Sequence, residues 1–599
     1  METKNSATDK TLSLAKPFSP TEWDSHQPGH QLLRVALWIA ALSLGAADAW
    51  VSRYTMYPDG ISYLDLGDAL WRGDWHNAIN GYWNPLYPAI VGFFFKIFKP
   101  PLHREYPFVH AVNFGIYVVA LVCFDFFLRR FIEVHTKRNA RSATHSEIGV
   151  PIWGWYVAGY SIFVSSSLFL ISTSFVSGDM VIAAVVYLAF ALILNVRSGN
   201  ANWRTFALLG VVLGAGYLTK TVMFLLAIPF ILTACAHKPS SKTLKQAAVG
   251  FAFFALIAGP FVVALSIQKG RLTFGDSGTI NYLINVDRGQ FYIPRQADAK
   301  HAMRNLGFIP EAYEYAKRVS GTYPLWYDPS YWHEGIHPHF TFKLQLRAIA
   351  LSLASCAWIL FNPWLGLDIT VAILALYMTA PSPYVCVKHL RAYWHLWVPA
   401  ITGICLYCLV VVEYRYVGAF FGVLWMIGMA GVRLPQANSS RRIISGAVCL
   451  LAITTLATAM RQIAREAGGA DFVERRIATA EIPRIAELLQ SYGVQPGDKL
   501  AVVSDWLFPS REGAYVCRLA RAQIIGEVRP QQFWSADETT RAKLIEIYKN
   551  AGAKALFAYE PSRVEPGWER LGSSNYYLYL MRSKAQEGRT VKDADRAPH

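Results

Sequence analysis

Residues 175–196 read FVSGDMVIAAVVYLAFALILNV, and from Met180 to Val196 the only side chains with a polar group are Tyr187 and Asn195. As an α-helix rising 1.5 Å per residue that stretch is about 26 Å long, most of a ~30 Å hydrocarbon core. It requires an apolar solvent, and the chain repeats the pattern. About twelve runs of this kind, several of them shorter, recur from Val35–Val51 through Ile152–Ser172, Phe206–Leu218, Val222–Ala236, Leu365–Thr379 and Val417–Val432 to Ile443–Ala459. The composition agrees: 53% hydrophobic and 16% charged residues, with positive mean hydropathy. The chain therefore reads as a multi-pass α-helical membrane protein, with about 11–13 transmembrane helices expected.

The formal charge of +16 does not indicate nucleic acid, because the basic residues stand at the ends of apolar runs. Arg129, Arg130, Lys137, Arg138 and Arg141 follow one run, and Arg441 and Arg442 precede another. That is the Lys/Arg excess of cytoplasmic loops, and it places the chain in a cytoplasmic (inner) membrane. The polar segment 1–34 lacks a signal-peptide core and is expected to be a cytoplasmic tail. An even helix count would return the C-terminus to the cytoplasm, whereas Arg441 and Arg442 place the loop before the last run inside. Following the charges, one run between Ala348 and Val432 stops short of crossing and the C-terminus lies outside. The eight cysteines are scattered, with no metal-binding pair spacing.

Within the membrane part, 35–462, two long polar loops stand out, 52–105 and 269–343. From about Asp471 the composition becomes that of a soluble domain. The segments IPRIAELLQSYG, LAVVS, QIIGEV and ALFAYE alternate helical and strand patterns, so 463–599 is expected to hold a small α/β domain on the periplasmic side. No GxGxxG follows its first strand, which gives no support for nucleotide binding.

The first loop holds YPDGISYLDLGDALWRGDW, residues 57–75. If it is helical, Asp59, Tyr63 and Gly67 share one face, and Asp65 and Asp68 share another. Asp179, at the start of the 180–196 run, is a second isolated acid at membrane depth, where carboxylates are costly and usually functional. The plain alternative for either is a helix N-cap. Two converging carboxylates have the chemistry of a general base, and equally of a ligand pair for a divalent ion. Lys220, in GYLTKTVMFLLAIP, lies between two short apolar runs, and Lys388, His389 and Arg391 cluster in KHLRAYWHLWVPA. Such cations suit a lipid phosphate; interfacial snorkelling is the alternative.

His333, Glu334 and His337 form HExxH, the pattern of a zinc-peptidase helix. Gly335 inside it and Pro338 after it oppose a helix. We expect instead a binding loop in which Trp326, Tyr331 and Trp332 offer flat ring surfaces to a sugar or an acceptor.

Four stretches carry a family resemblance: PDGISYLDLGDAL with NGYWNPLYP, SGDMVIAAVVYLAFAL, GAGYLTKTVMFLLAIP, and RAYWHLWVPAIT at 391–402. They resemble the GT-C glycosyltransferases that use polyprenyl-phosphate sugars, in the branch of protein O-mannosyltransferases and aminoarabinose transferases. The resemblance implies a GT-C-like fold, a catalytic acid at Asp59, a second at Asp179, and donor-phosphate contacts at Lys220 and Arg391. It also fits an outer soluble C-terminal domain. The family commonly has an acidic pair in the first loop; here Gly60 occupies the second place, leaving Asp65 and Asp68 as candidates for the other acid.

The expected function is transfer of a sugar from a polyprenyl-phosphate donor to a glycan, lipid or protein acceptor on the outer side of the membrane. Asp59 and Asp179 are the catalytic candidates. Tyr63, Asp65, Asp68, Lys220, Trp332, His389 and Arg391 are the substrate or phosphate candidates. The rivals are a transporter or lipid flippase, which would show inverted repeats, and a zinc peptidase.

Overall fold

The computed structural model describes residues 28–142, 147–199, 201–236, 240–288, 300–301, 304–306, 312–315, 321–468, 481–504, 510–561 and 565–581. The N-terminal residues 1–27 and the start of the soluble region at 471–480 lie outside that set.

Seven of the described helices are long and apolar enough to cross a membrane, and five more are apolar and shorter. The protein is a multi-pass membrane protein. The elements that frame the site are α1 (Pro28–Val51), α2 (Pro58–Arg72), α3 (Leu86–Phe98) and α4 (Glu105–Ser142). They continue with α5 (Ile152–Val164), α6 (Asp179–Arg197), α7 (Trp203–Thr219), α8 (Val222–Cys235) and α9 (Ser241–Lys269). After the second loop come α10 (Phe342–Phe361), α11 (Leu367–Met378), α12 (Pro383–Leu390), α13 (Trp394–Cys408), α14 (Tyr414–Ala430) and α15 (Asn438–Gly468).

Helix α6 is buried along nearly its whole length, which explains why its sequence is apolar all round and not striped. It is the axis of the bundle, and the side chains at its two termini mark two ends of the molecule. Asp179 faces the first loop, and Arg197 lies beside Trp394 at the opposite end.

The first loop is not a plain connector. Pro58 at the first helical position and extended Tyr57 before it start α2, and left-handed Gly73 ends it. Helix α2 then packs on α3 through glycines. A Cβ on Gly67 would lie 2.8 Å from the Pro88 carbonyl oxygen, and one on Gly92 would lie 2.6 Å from the Gly67 carbonyl oxygen. The two backbones touch because neither side chain exists.

Helix α10 covers the apolar run that begins at Ala348. Gln345 Nε2 donates to the Leu409 carbonyl oxygen at 2.9 Å, and Cys356 Sγ lies 4.0 Å from Cys408 Sγ. Those two α10 residues are about 16 Å apart along the helix, yet both reach the last turn of α13. Helix α10 therefore meets the C-terminal end of α13 at two points along its length.

The C-terminal region contains a seven-stranded mixed sheet built from β1 (Arg304–Asn305), β2 (Ala312–Glu314), β3 (Lys499–Val503), β4 (Gln523–Val528), β5 (Ala553–Tyr559), β6 (Trp568–Arg570) and β7 (Tyr576–Leu580). The strand order is β1-β2-β4-β3-β5-β7-β6, parallel for β4-β3-β5 and antiparallel toward both edges. Two of these strands come from the second long loop, far from the others in sequence. The loop thus ties the sheet to the membrane bundle, and Tyr106 at the head of α4 donates to the Tyr515 carbonyl oxygen at 2.9 Å.

Candidate active site

Four charged side chains from four separate elements meet at the loop end of α6. Asp179 is 2% exposed and begins α6, but it does not cap it, since the residue at the cap position is Gly178. Its carboxylate accepts from Ser177 Oγ at 2.7 Å and pairs with the Lys220 ammonium. Lys220 sits where α7 ends in an extended residue before α8 begins, so no helix constrains the direction of its side chain. The ammonium also stands 3.8 Å from the centre of the Tyr416 ring, a cation–π contact that favours the charged form.

Asp59 occupies the second position of α2, after Pro58, so it too is not the cap. The partner its carboxylate takes is Arg415, whose Nη2 lies 3.0 Å from Oδ2. The other guanidinium nitrogen donates to Tyr57 Oη at 2.7 Å and lies 3.5 Å from Asp179 Oδ2. Arg415 thus bridges the two acids, and Tyr57, Phe175 and Tyr416 stack around it. A side chain at position 60 would crowd Met56 and Val176, so a second acid directly after Asp59 would require both to shift.

Of these groups, Asp59, Lys220, Arg415 and Tyr416 line one cavity of about 460 Å³, with Asp179 behind them. Its lining includes the polar Asp59, Tyr63, Tyr82, Asn84, Lys220 and Arg415 and the apolar Val222, Leu225, Leu406, Leu409 and Val410. Asn84 fixes the first loop to the Lys220 corner: it donates to the Tyr217 carbonyl oxygen at 2.6 Å and accepts from Thr221 Oγ1 at 2.7 Å. Tyr63 is held edge-on by Trp83 and Tyr87, with ring centres 4.9 and 5.0 Å away. Burial, and then the nearby Asp59 charge, push the Tyr82 phenol up to about 12, so it is a neutral hydrogen-bond donor.

Asp65 and Asp68 lie on the other face of α2 and line a different, polar cavity of about 370 Å³. Arg518 of the sheet domain is buried between them, with Nη1 2.7 Å from Asp65 Oδ1, Nη1 2.7 Å from Asp68 Oδ2 and Nε 2.7 Å from Glu105 Oε1. Arg521 adds contacts to Asp68 at 3.0 Å and Glu105 at 2.6 Å. Burial raises the Asp65 carboxyl despite Arg518. At Asp68 burial also pushes up, but Arg518 and Arg521 outweigh it and hold the carboxyl below its ordinary value. This face of α2 is where the soluble domain docks.

Trp332 is buried, donating Nε1 to the Pro324 carbonyl oxygen at 2.9 Å, and does not line the 460 Å³ cavity. His389 and Arg391 do not line it either. His389 lies in the last turn of α12 and Arg391 directly follows it, at the opposite end of the bundle, where burial and then Arg433, Arg138 and Lys388 push the His389 ring down to about 4. The sequence could not separate the two ends of the bundle for a basic cluster at a helix edge, since both ends lie at an interface.

The HExxH residues do not share a helix. The helical turn Pro329–Trp332 ends before His333, and Gly335 has φ +89°, left-handed backbone that stops any continuation. His333 Nδ1 contacts the Pro329 carbonyl oxygen at 2.8 Å, and Glu334 pairs with Lys300 at 3.0 Å. Among the described residues, no three His, Cys, Asp or Glu side chains group as metal ligands. At Asp59 and Asp179 the bridging position is filled by the Arg415 guanidinium, so a divalent ion there would have to displace it.

Arg415, Tyr57 and Asn84 were not singled out by sequence reasoning. The signal for Arg415 was present: in EYRYVGAF it is a lone cation in the short break between two apolar runs, the same feature that marks Lys220.

No sequence-family profile matches the chain, and no curated protein matches it. Solved structures do. Crystal structures of ArnT from Cupriavidus metallidurans superpose over most of both chains. The apo state has a TM-score of 0.51 at 12% identity, covering 90% of this chain and 97% of that one. The form bound to undecaprenyl phosphate has a TM-score of 0.53 at 11% identity, covering 93% and 99%. The fold of this membrane protein is GT-C, with a strand-containing C-terminal region.

Proposed function

We propose that this GT-C membrane protein is a glycosyltransferase that takes its sugar from a polyprenyl-phosphate donor and passes it to an acceptor hydroxyl on the outer, periplasmic face of the inner membrane. The observation that carries the reading is that one cavity is lined both by paired cations and by a set of apolar side chains. Lys220 and Arg415 converge within reach of a phosphate, and Val222, Leu225, Leu406, Leu409 and Val410 continue from them as a surface for an isoprenoid chain. The undecaprenyl phosphate bound to ArnT supports the same ligand class here.

In this reading the transfer is inverting. The acceptor oxygen attacks the anomeric carbon, the bond from that carbon to the donor phosphate oxygen breaks, and Asp59 orients the acceptor hydroxyl and takes its proton. The departing polyprenyl phosphate carries new negative charge, which Lys220 and Arg415 are already placed to stabilise without reorganisation. Asp59 is the acid at the cavity surface, with a side chain 31% exposed, whereas Asp179 is sealed behind the two cations. Asp179 is therefore assigned the task of fixing Lys220 and Arg415. Tyr63, Tyr82 and Trp83 supply ring faces and hydroxyls for the sugar. Asp65 and Asp68 serve domain docking, and the donor-phosphate role falls to Lys220 and Arg415 in place of His389 and Arg391.

The test is release of polyprenyl phosphate by purified protein supplied with polyprenyl-phosphate sugars. Asp59→Asn is expected to abolish it while leaving the protein folded and donor still bound. Retained turnover would remove Asp59 from the chemistry.

A further inference from the structure

The KHLRAYWHLWVPA cations are left without a task by the transferase reading, yet they belong to a constructed feature at the opposite end of the bundle. Arg138 near the end of α4, Arg197 at the end of α6 and Arg433 after α14 converge on the Tyr393–Trp394 corner that starts α13. The Arg138 guanidinium stands 5.3 Å from the Tyr393 ring centre, and that of Arg197 stands 5.7 Å from the Trp394 ring centre. Arg433 is 6% exposed, donating to Asn139 Oδ1 and to the Val432 carbonyl oxygen, both at 2.6 Å. Asn139 also meets His135, whose other ring nitrogen lies 2.6 Å from Tyr393 Oη. Exposed Lys388 and Arg391 form the rim.

What this cluster lacks is a counter-charge. Among the described residues no carboxylate lies within 4 Å of Arg138, Arg197, Arg433, Lys388 or Arg391, and the acid that faces the group from farther away is Glu147. Arg197 Nη1 is shielded from water with no hydrogen-bond partner. Arginines that only set topology would stand in solvent, like Arg441 and Arg442. Gathering one buried and two half-buried guanidiniums, Arg433 with Arg138 and Arg197, without an acid is costly unless an anion completes the site.

We propose that Arg138, Arg197 and Arg433, with Lys388 and Arg391 at the rim, form a site for a phosphate oxyanion, taken from the headgroup of an anionic phospholipid. Basic pockets between helices at the cytoplasmic surface have the chemistry for such headgroups, and the guanidinium fork matches phosphate geometry. The site is separate from the transfer cavity: α14 alone puts about 25 Å between Arg415 and the end that carries Arg433.

The experiment uses the purified full chain in detergent, with native mass spectrometry in equimolar phosphatidylglycerol and phosphatidylcholine, and thermal unfolding in inorganic phosphate without lipid. Wild type is expected to retain phosphatidylglycerol selectively. Arg197→Gln and Arg138→Gln, made separately so that one misfolded variant does not decide the result, are each expected to weaken that binding about fivefold. Arg441→Gln is expected to bind like wild type. A Tm rise in inorganic phosphate that Arg197→Gln or Arg138→Gln abolishes, without lipid selectivity, would keep the oxyanion site and make free phosphate its ligand. Equal retention of both lipids with no response to phosphate, or losses in Arg441→Gln as large as in the other two variants, would overturn the proposal.

Discussion

Arg415 Nη2 lies 3.0 Å from Asp59 Oδ2 across 356 positions of sequence. The contact joins the first helix of the first long loop to the start of α14, and the other arm of Arg415 reaches Asp179. A single guanidinium thus sets the spacing of the two acids on which the proposed chemistry depends.

Arg415→Gln is expected to reduce transfer at least about a hundredfold, because a preorganised charge facing the leaving phosphate is worth roughly that much or more. It also leaves Asp179 with Lys220 as its sole cationic partner. Steady-state release of polyprenyl phosphate reads the first effect, and a lowered Tm reads the second. Unchanged kcat/KM would remove Arg415 from the site.

Lys220→Met is expected to act chiefly on donor binding. A charged hydrogen bond is worth about 1.5–3 kcal/mol, roughly ten- to a hundredfold in Kd. Direct binding of polyprenyl phosphate, measured without acceptor, separates this from the loss of turnover expected in Asp59→Asn.

Asp68→Asn tests the docking of the sheet domain through its pH dependence. Arg518 and Arg521 hold Asp68 below its ordinary value, so the ionised form is favoured by folding. The stabilisation is fully present above the unfolded pKa of about 3.9 and is lost as the pH falls through the lower folded value. The Tm difference between wild type and Asp68→Asn is expected to be largest near neutral pH and to shrink below pH 4. A difference independent of pH would contradict the ion-pair account.

Gly67→Val places a branched side chain against the Pro88 carbonyl oxygen and the Gly92 backbone. Overpacking of this kind costs about 1–3 kcal/mol. Because α2 carries Asp59, activity is expected to fall together with Tm. Full activity with normal Tm would show that α2 and α3 have freedom to separate.

Much of this was legible in the chain. The apolar runs indicated the bundle, and the spacing of Asp59, Tyr63, Asp65 and Asp68 put them on two faces of α2, but the docking role of the Asp65–Asp68 face was not legible there. The acid at Asp179 and the cation at Lys220 stood out because charge is rare inside apolar sequence. Three things were hidden. The pairing of Arg518 with Asp65 spans 453 positions, and no local pattern encodes such a contact. The strands Arg304–Asn305 and Ala312–Glu314 are too short for period-two alternation to register, and their place in the sheet depends on strands two hundred residues later. The Lys388–Arg391 cluster read as a phosphate site from composition, but which end of the bundle it occupies follows from the packing of Arg138 and Arg197 on Tyr393 and Trp394, long-range contacts that an apolar run does not announce.

The most direct measurement is single-turnover release of polyprenyl phosphate from radiolabelled polyprenyl-phosphate sugar by wild type, Asp59→Asn and His337→Ala protein, each first shown to bind donor. The account predicts turnover by wild type and His337→Ala, and none by Asp59→Asn at undiminished donor binding. Wild-type turnover that survives Asp59→Asn, or that vanishes in His337→Ala, would contradict it.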